Sequence, residues 1–416
     1  MHRILIINHY AGSPEHGMEY RPFYFAREWV RVGHEVLIVA ASHSHLRQNN
    51  PAMNGVITRE TIEDVNYLWV QTPAYQGNGA GRVLNMAAFV ARLYTSCRGA
   101  IDNFRPDLVI ASSTYTWDNW PAAWYARRHG ARHVYELHDV WPLTPMELGG
   151  MSRFHPFIVA LQLAEDFACR KADRVVSMLP AVLPHLREHG MPEGRLSYIP
   201  NGIVREEWLH KQPIPDSHQK AISAFRQTHK HLVGYAGGHA LSNALDVLVE
   251  AGANHLLEEE GVGIVCIGSG VEKNRLENKA RELGSRMLFL PPVPRRTVPL
   301  LLSEFDILFL GMAQSPLYRF GISPNKLFEY MMAGVPIVHA VEAANDPVLE
   351  SVCGVSVIPG DPQALCEGIR KLLSLSAEAR IEMGRRGRAY VEKNFSVDKL
   401  AMEFLDSVWP GDSTRK

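Results

Sequence analysis

Apolar runs of strand length alternate along this chain with longer stretches in which apolar residues recur every three or four positions. That rhythm predicts βαβ units, parallel strands covered by helices on both faces. In the first half the expected strands are Ile4–Asn8, Glu35–Ala40, Asn66–Gln71, Leu108–Ser112, His133–Glu136 and Val175–Met178. Helices are expected over Pro22–Val32, Arg82–Asn103, Ala122–His129 and Phe157–Lys171. A strand around Ser197 then meets a Pro-Asn-Gly turn and a polar, proline-bearing stretch that reaches His218, and a second βα series follows. Its strands are His231–Ala236, Gly263–Ile267, Met287–Leu290, Ile307–Leu310, Pro336–His339 and Val355–Ile358. Helices Ala377–Val391 and Ser396–Val408 close the chain without a further strand.

The expected organisation is two doubly wound, Rossmann-like α/β domains, residues 1–204 and 205–392, with a tail, 393–416, that packs back on the first domain. Two such domains in series place a ligand cleft outside the carboxyl ends of their strands. The 416 residues, 46% hydrophobic, are enough for two cores. Lys and Arg number 43 against 44 acidic residues, so the bulk charge offers nothing to nucleic acid. The 5 cysteines are scattered without a CxxC pair, which argues against a zinc knuckle or a disulfide framework. The amino terminus enters a short strand directly, and no uncharged apolar run reaches membrane-spanning length, so the expectation is a cytoplasmic protein.

Three segments carry candidate chemistry. In YAGGHALSNALD, Gly237 and Gly238 follow a strand and precede a helix expected near Ser242, a layout that can cradle an anion or simply form a tight turn. A second turn, at Gly268 and Gly270, has the same form. In SPNKLFEYMMAGVPIV, Ser323-Pro324 opens a helix that carries Lys326, Glu329 and Tyr330. A lysine at a positive helix start is unfavourable unless an anion sits there, and a carboxylate one turn later suits a ribose diol. The other reading is an exposed Lys326–Glu329 ion pair of little energetic weight.

Phe320–Val338, FGISPNKLFEYMMAGVPIV, resembles the donor-binding signature of glycosyltransferase family 4, enzymes of the GT-B fold. The likeness is to a bacterial subgroup that includes N-acetylfucosamine-type transferases of lipopolysaccharide O-antigen assembly. His9–Val36, YELHDVWP at Tyr135–Pro142, YIPNGI at Tyr198–Ile203 and YAGGHALSNALD at Tyr235–Asp246 are similar to that subgroup in the same order, nearly the whole chain. The resemblance implies transfer of a sugar from a nucleotide donor, UDP-linked, to a saccharide acceptor carried on a polyprenyl diphosphate at the cytoplasmic membrane face. It further implies a retaining reaction in which the leaving diphosphate helps deprotonate the incoming hydroxyl.

By the same resemblance Glu329 holds the ribose. Lys326 and the backbone of Gly321, Ile322, Ser323 and Asn325 hold the diphosphate, with Gly237, Gly238 and Asn243 on the phosphate side. Gly12, Gly17, Glu19, Tyr20 and Arg21 lie in a mobile loop facing phosphate and acceptor, and His138 and Asp139 approach the transferred sugar. His138 could equally cap a turn, and with 19 histidines most must be bystanders. Two departures stand out. The position eight residues before Glu329, where many members carry a first glutamate, is Gly321, and the basic pair usual after the first glycine turn is missing, with Asn243 in its place.

No Asp-x-Asp triplet occurs, so the expectation is no metal and no cofactor, with diphosphate charge met by lysine, amides and helix dipoles. Arg82–Ala100 reads either as an interfacial helix or as one packed on its sheet. Trp117, Trp120 and Trp124 would line an acceptor site or fill core. Beside the transferase reading stand a nucleotide-sugar epimerase or phosphorylase on the same scaffold and a non-catalytic sugar-nucleotide-binding partner of a biosynthetic complex.

Overall fold

The computed structural model describes residues 1–77 and 79–410. The chain divides into two units, Met1–Asn201 with the segment from Val397 onward, and Gly202–Ser396. The crossings fall at 201/202 and 396/397, a few residues from the expected 204/205 and 392/393. The reason is local: Ile203 N–H donates to Phe395 O at 2.7 Å and Ile203 bridges Ser396, so both stretches pair within the second unit.

The first unit is built on β1 (Arg3–Ile7), β2 (Glu35–Ala41), β3 (Ile57–Ile62), β4 (Val65–Val70), β5 (Leu108–Ala111), β6 (Arg132–Leu137), β7 (Arg174–Ser177) and β8 (Leu196–Tyr198). Their order across the sheet is β3-β4-β2-β1-β5-β6-β7-β8. The central strands are near-continuous apolar runs because helices cover both faces of a parallel sheet: Ile4 to Ile7 and Leu108 to Ala111 are all buried, with Ile4 opposite both Val36 and Leu108. The strand not foreseen, β3, runs antiparallel to β4 at the sheet edge. Its sequence ITRETI carries charges, as an edge strand tolerates and a buried one does not.

The helix expected over Arg82–Asn103 is two helices, Ala80–Tyr94 and Arg98–Phe104, because the chain turns at Thr95. Met86, Phe89 and Leu93 are buried, so that face of Arg82–Ala100 packs into the core, while Leu84 is exposed. The last helix, Val397–Val408, belongs to the first unit. Trp29 Nε1 donates to Ala401 O at 2.8 Å, and the Phe404 ring lies 5.3 Å from that of Trp29 and 6.1 Å from that of Phe25.

The second unit holds β9 (His231–Ala236), β10 (Val262–Ile267), β11 (Met287–Leu290), β12 (Ile307–Gly311), β13 (Ile337–Ala340) and β14 (Gly354–Ser356), ordered β11-β10-β9-β12-β13-β14 and parallel throughout. In each sheet the chain starts in the middle and reverses direction of growth, at β1/β5 and at β9/β12. Such switch points open a crevice beyond the carboxyl ends of the strands. The candidate residues after β1, β5, β6 and β9 lie at these ends.

Candidate functional site

In the second unit two glycine turns are zipped together beyond β9 and β10. Gly237 N–H donates to Ile267 O (2.9 Å) and His239 N–H to Ser269 O (2.8 Å). The contact is so close that a Cβ on Gly268 would lie 2.0 Å from Gly237 O. The α-helix expected to start near Ser242 begins at Leu245, after a 3₁₀ turn over Leu241–Asn243 and a left-handed Ala244. The amide of Gly237 therefore serves the turn rather than an anion, and what the turn provides is room: a Cβ at Gly237 would stand 2.7 Å from Lys326 Cε.

Lys326 fills that room from the helix Asn325–Ala333. Its Nζ donates to Tyr235 Oη (2.8 Å) and to Asn243 Oδ1 (2.9 Å), both neutral oxygens. Asn243 in turn donates from Nδ2 to Gly238 O (2.9 Å), as does the Tyr235 hydroxyl (2.6 Å), so both acceptors of the lysine are held in place. Burial without a carboxylate at hydrogen-bond distance lowers the Lys326 pKa to about 8. Glu329 makes its ion pair elsewhere, with Arg295 at 3.4 Å, while Arg295 Nε donates to Glu207 at 2.8 Å. The expected alternative of a plain Lys326–Glu329 surface pair does not hold. Burial, with the Glu207 carboxylate nearby, pushes the Glu329 carboxyl up.

Of the backbone run before this helix, Ile322 N–H is taken by Asn345 Oδ1 (2.8 Å), whose Nδ2 donates back to Ile322 O (3.0 Å), and Gly321 N–H by Tyr318 O (2.9 Å). These two amides are thus committed inside the protein, a correction to their assignment as diphosphate donors. Ser323 is half-buried just before Pro324, and the helix start leaves the Asn325 and Lys326 amides without intrahelical acceptors. Lys273 and His239 were not singled out by sequence. Lys273 Nζ donates to Gly268 O (3.2 Å) and Leu290 O (3.1 Å). His239 is fully buried, and burial together with Lys273 and Lys326 lowers its pKa to about 4, so it is a neutral ring among cations.

The first unit has its own polar centre, at the ends of β1, β5 and β6. Glu136 is buried on β6 and shares its two oxygens: Oε1 accepts from Arg21 Nε (2.8 Å), Oε2 from Ser112 Oγ (2.6 Å), with His138 Nε2 at 3.1 Å. His138 Nε2 is also 3.0 Å from Ser112 Oγ, and Asn8 Nδ2 donates to Ser112 O (2.7 Å). Burial favours the neutral acid, but the Arg21 guanidinium and the hydrogen bonds from His138 and Ser112 outweigh it and hold the Glu136 carboxyl well below its ordinary range. The carboxylate thus orients the His138 ring, leaving Nδ1 as the edge turned from the network.

Arg21 is not a loop cation facing outward. Its guanidinium is consumed by Glu136, Pro200 O (2.6 Å) and Ile199 O (2.9 Å), which corrects its assignment to a phosphate loop. Asp139 is likewise occupied: Oδ1 accepts from Val140 N–H and Thr144 Oγ1, both at 2.8 Å, and Oδ2 from Trp141 Nε1 at 3.1 Å, so it builds the turn after β6. The loop expected to be mobile carries internal hydrogen bonds: Gly12 N–H donates to Glu19 O (3.0 Å), Gly17 N–H to Ser13 O (2.8 Å), and Tyr67 Oη to Gly12 O (2.7 Å). Only glycine fits at 12, where a Cβ would meet Met18 O at 1.8 Å. Glu19 adopts φ 67° and Tyr20 caps the following helix. Trp117 and Trp124, both partly buried, pack edge-on against Phe157 and Tyr125.

The comparisons agree with this architecture. Residues 16–202 match the Glycosyl transferase 4-like domain and residues 230–375 the Glycosyl transferases group 1 domain. Among solved structures, a sucrose-phosphate synthase from Thermosynechococcus elongatus superposes with a TM-score of 0.72 at 17% identity, covering 98% of both chains. Anabaena HepE in complex with UDP and glucose gives 0.64 at 17%, covering 98% of this chain and 99% of that one. WaaG, a glycosyltransferase involved in lipopolysaccharide biosynthesis, gives 0.65 at 16%, covering 98% and 100%. No curated protein gives a significant sequence match. Two Rossmann-like domains carrying these two matches define a GT-B glycosyltransferase. The chain is one, with a 4-like domain in its first half and a group 1 domain in its second.

Proposed function

We propose that this glycosyltransferase is a retaining, metal-independent enzyme that moves a sugar from a UDP-sugar to a saccharide acceptor. The observation that carries the reading is Lys326, a buried ammonium whose hydrogen-bond partners are neutral oxygens. Keeping such a charge is unfavourable until an anion arrives, and a diphosphate leaving group is an anion that grows in charge as the glycosidic bond breaks. Lys326 and the first amides of its helix meet that charge, Glu329 takes the ribose hydroxyls, and His138, held by Glu136, hydrogen-bonds the transferred sugar. Two similar structures support a uridine donor: HepE, solved with UDP-glucose, and one described as trehalose-6-phosphate from E. coli bound with UDP-2-fluoro glucose.

The acceptor we favour is lipid-linked, in O-antigen or a related surface polysaccharide, with the subgroup resemblance and the structural likeness to WaaG as support. Among the described residues no helix is long and apolar enough to cross a membrane, so contact with the cytoplasmic membrane face would be peripheral. The test is a screen of UDP-sugars with short lipid-linked acceptors, reading UDP release and the anomeric configuration of the product. Transfer with retention that persists in EDTA is expected. Inversion, a donor altered without any acceptor, or turnover abolished by EDTA and restored by magnesium or manganese would each overturn it.

A further inference from the structure

A second polar cluster lies in the first unit and shares no residue with the Glu136 network. It joins the helix Pro156–Lys171 to the short helix Leu183–Glu188 and its cap, His189. Glu165 is fully buried with no lysine or arginine partner among the described residues; what faces it is His185, whose Nε2 is 2.7 Å from Oε1, and His189, whose Nε2 is 4.0 Å from Oε2. A buried carboxylate needs its charge offset, and here only two imidazoles are available.

We propose that Glu165, His185 and His189 bind one divalent transition-metal ion, zinc by ligand chemistry, clamping these two helices together. The three side chains each offer a ligand atom, and those atoms lie within 4.8 Å of one another. Ligand atoms of a tetrahedral zinc at about 2.0–2.1 Å stand about 3.3 Å apart, between the two histidine–glutamate separations observed. His185 and His189 are four residues apart on one continuing turn, since His189 N–H donates to His185 O at 3.2 Å, which presents both rings on the same side.

The surroundings match a metal site. His189 Nδ1 is 2.8 Å from Asp166 Oδ1, the carboxylate contact that fixes the tautomer and orientation of a metal-bound imidazole and leaves Nε2 for the ion. Gln162 Nε2, with two protons, stands 2.9 Å from each of Glu165 Oε2, Asp166 Oδ1 and His189 Nδ1. With His189 Nδ1–H given to Asp166, the two Gln162 protons go to Glu165 Oε2 and Asp166 Oδ1, so the amide holds both carboxylates beside the histidine pair. Imidazole and carboxylate together select zinc and its neighbours over magnesium or calcium, which prefer all-oxygen shells. Binding must displace the proton that His185 Nε2 shares with Glu165, so affinity falls as pH drops.

The test uses the full chain, stripped with chelator and titrated with Zn²⁺ against a chromophoric competitor, with Co²⁺ as the spectroscopic probe and thermal melting as the second readout. One equivalent per chain, a tetrahedral Co²⁺ spectrum and a raised melting temperature are expected, with no effect of Mg²⁺. His189→Ala, at a partly exposed position, should melt like the stripped wild type yet lose the Zn²⁺-dependent rise. Asp166→Asn should weaken binding about 10–100-fold. His185→Ala serves only if it folds. Wild-type binding no tighter than that of His189→Ala overturns the proposal. The site is independent of the donor chemistry: sugar transfer at 25 °C should survive the same chelator treatment that lowers the melting temperature.

Discussion

Replacing Lys326 by methionine separates what this residue contributes to ligand binding from what it costs the fold. Its pKa falls from 10.5 to about 8, so keeping the charge in place at pH 7 costs about 3 kcal/mol, at about 1.4 kcal/mol per pKa unit. Methionine removes that cost and keeps the apolar stem. It also takes a donor from Asn243 Oδ1 and Tyr235 Oη, worth about 1 kcal/mol each. The ligand-free variant should therefore be as stable as wild type or up to about 2 kcal/mol more stable, a melting shift of zero to about 6 °C upward for a unit of this size. UDP affinity moves the other way: losing a charge-assisted hydrogen bond of about 3 kcal/mol weakens it about 100-fold.

The pH dependence carries a sign. An unfolded lysine stays protonated to pH 10.5, the folded one only to about 8. Between these values the unfolded state holds more protons, so wild-type stability rises with pH relative to Lys326→Met, and below pH 8 the full penalty applies. UDP affinity of the wild type should decline above about pH 8 as the ammonium is lost. Thermal melts at pH 7 and pH 9.5, with UDP titrations at both, read all of this. A variant that melts more than about 6 °C lower while binding UDP like wild type would refute the reasoning.

Gly237→Ala puts a methyl 2.7 Å from Lys326 Cε and should weaken UDP binding about 10-fold or more by displacing the ammonium, measured by calorimetry, and should lower kcat as well, because Lys326 meets the charge that grows on the leaving diphosphate. Asp118 is buried and its pKa is raised to about 7, first by burial, so the folded state binds the proton more tightly and stability falls as pH rises from 4 to 7. Asp118→Asn should flatten that fall and melt higher than wild type at pH 8; an unchanged pH profile would count against it. Phe404→Ala, at a fully buried ring between Trp29 and Phe25, should cost about 3–5 kcal/mol in denaturant unfolding of the first unit.

What the sequence alone determined is whatever depends on local pattern. Strand-length apolar runs announced a doubly wound fold because strands covered on both faces must be apolar throughout, and β1, β5, β9 and β12 lie within a residue or so of where periodicity put them. The helix at Asn325–Ala333 was legible from Ser323-Pro324 before it and Gly334 after it. What escaped depends on pairing across the chain. The edge strand β3 is set by its partner β4, not by its own charged sequence. Lys326 and Glu329 looked like a couple at helical spacing, but the fold sends one to Tyr235 and Asn243 and the other to Arg295, 34 residues upstream of Glu329. Arg21 looked available for phosphate until Glu136, 115 residues away, claimed it. Side-chain partnership at this range is decided by which charges the fold of each unit brings together, and no local periodicity records it.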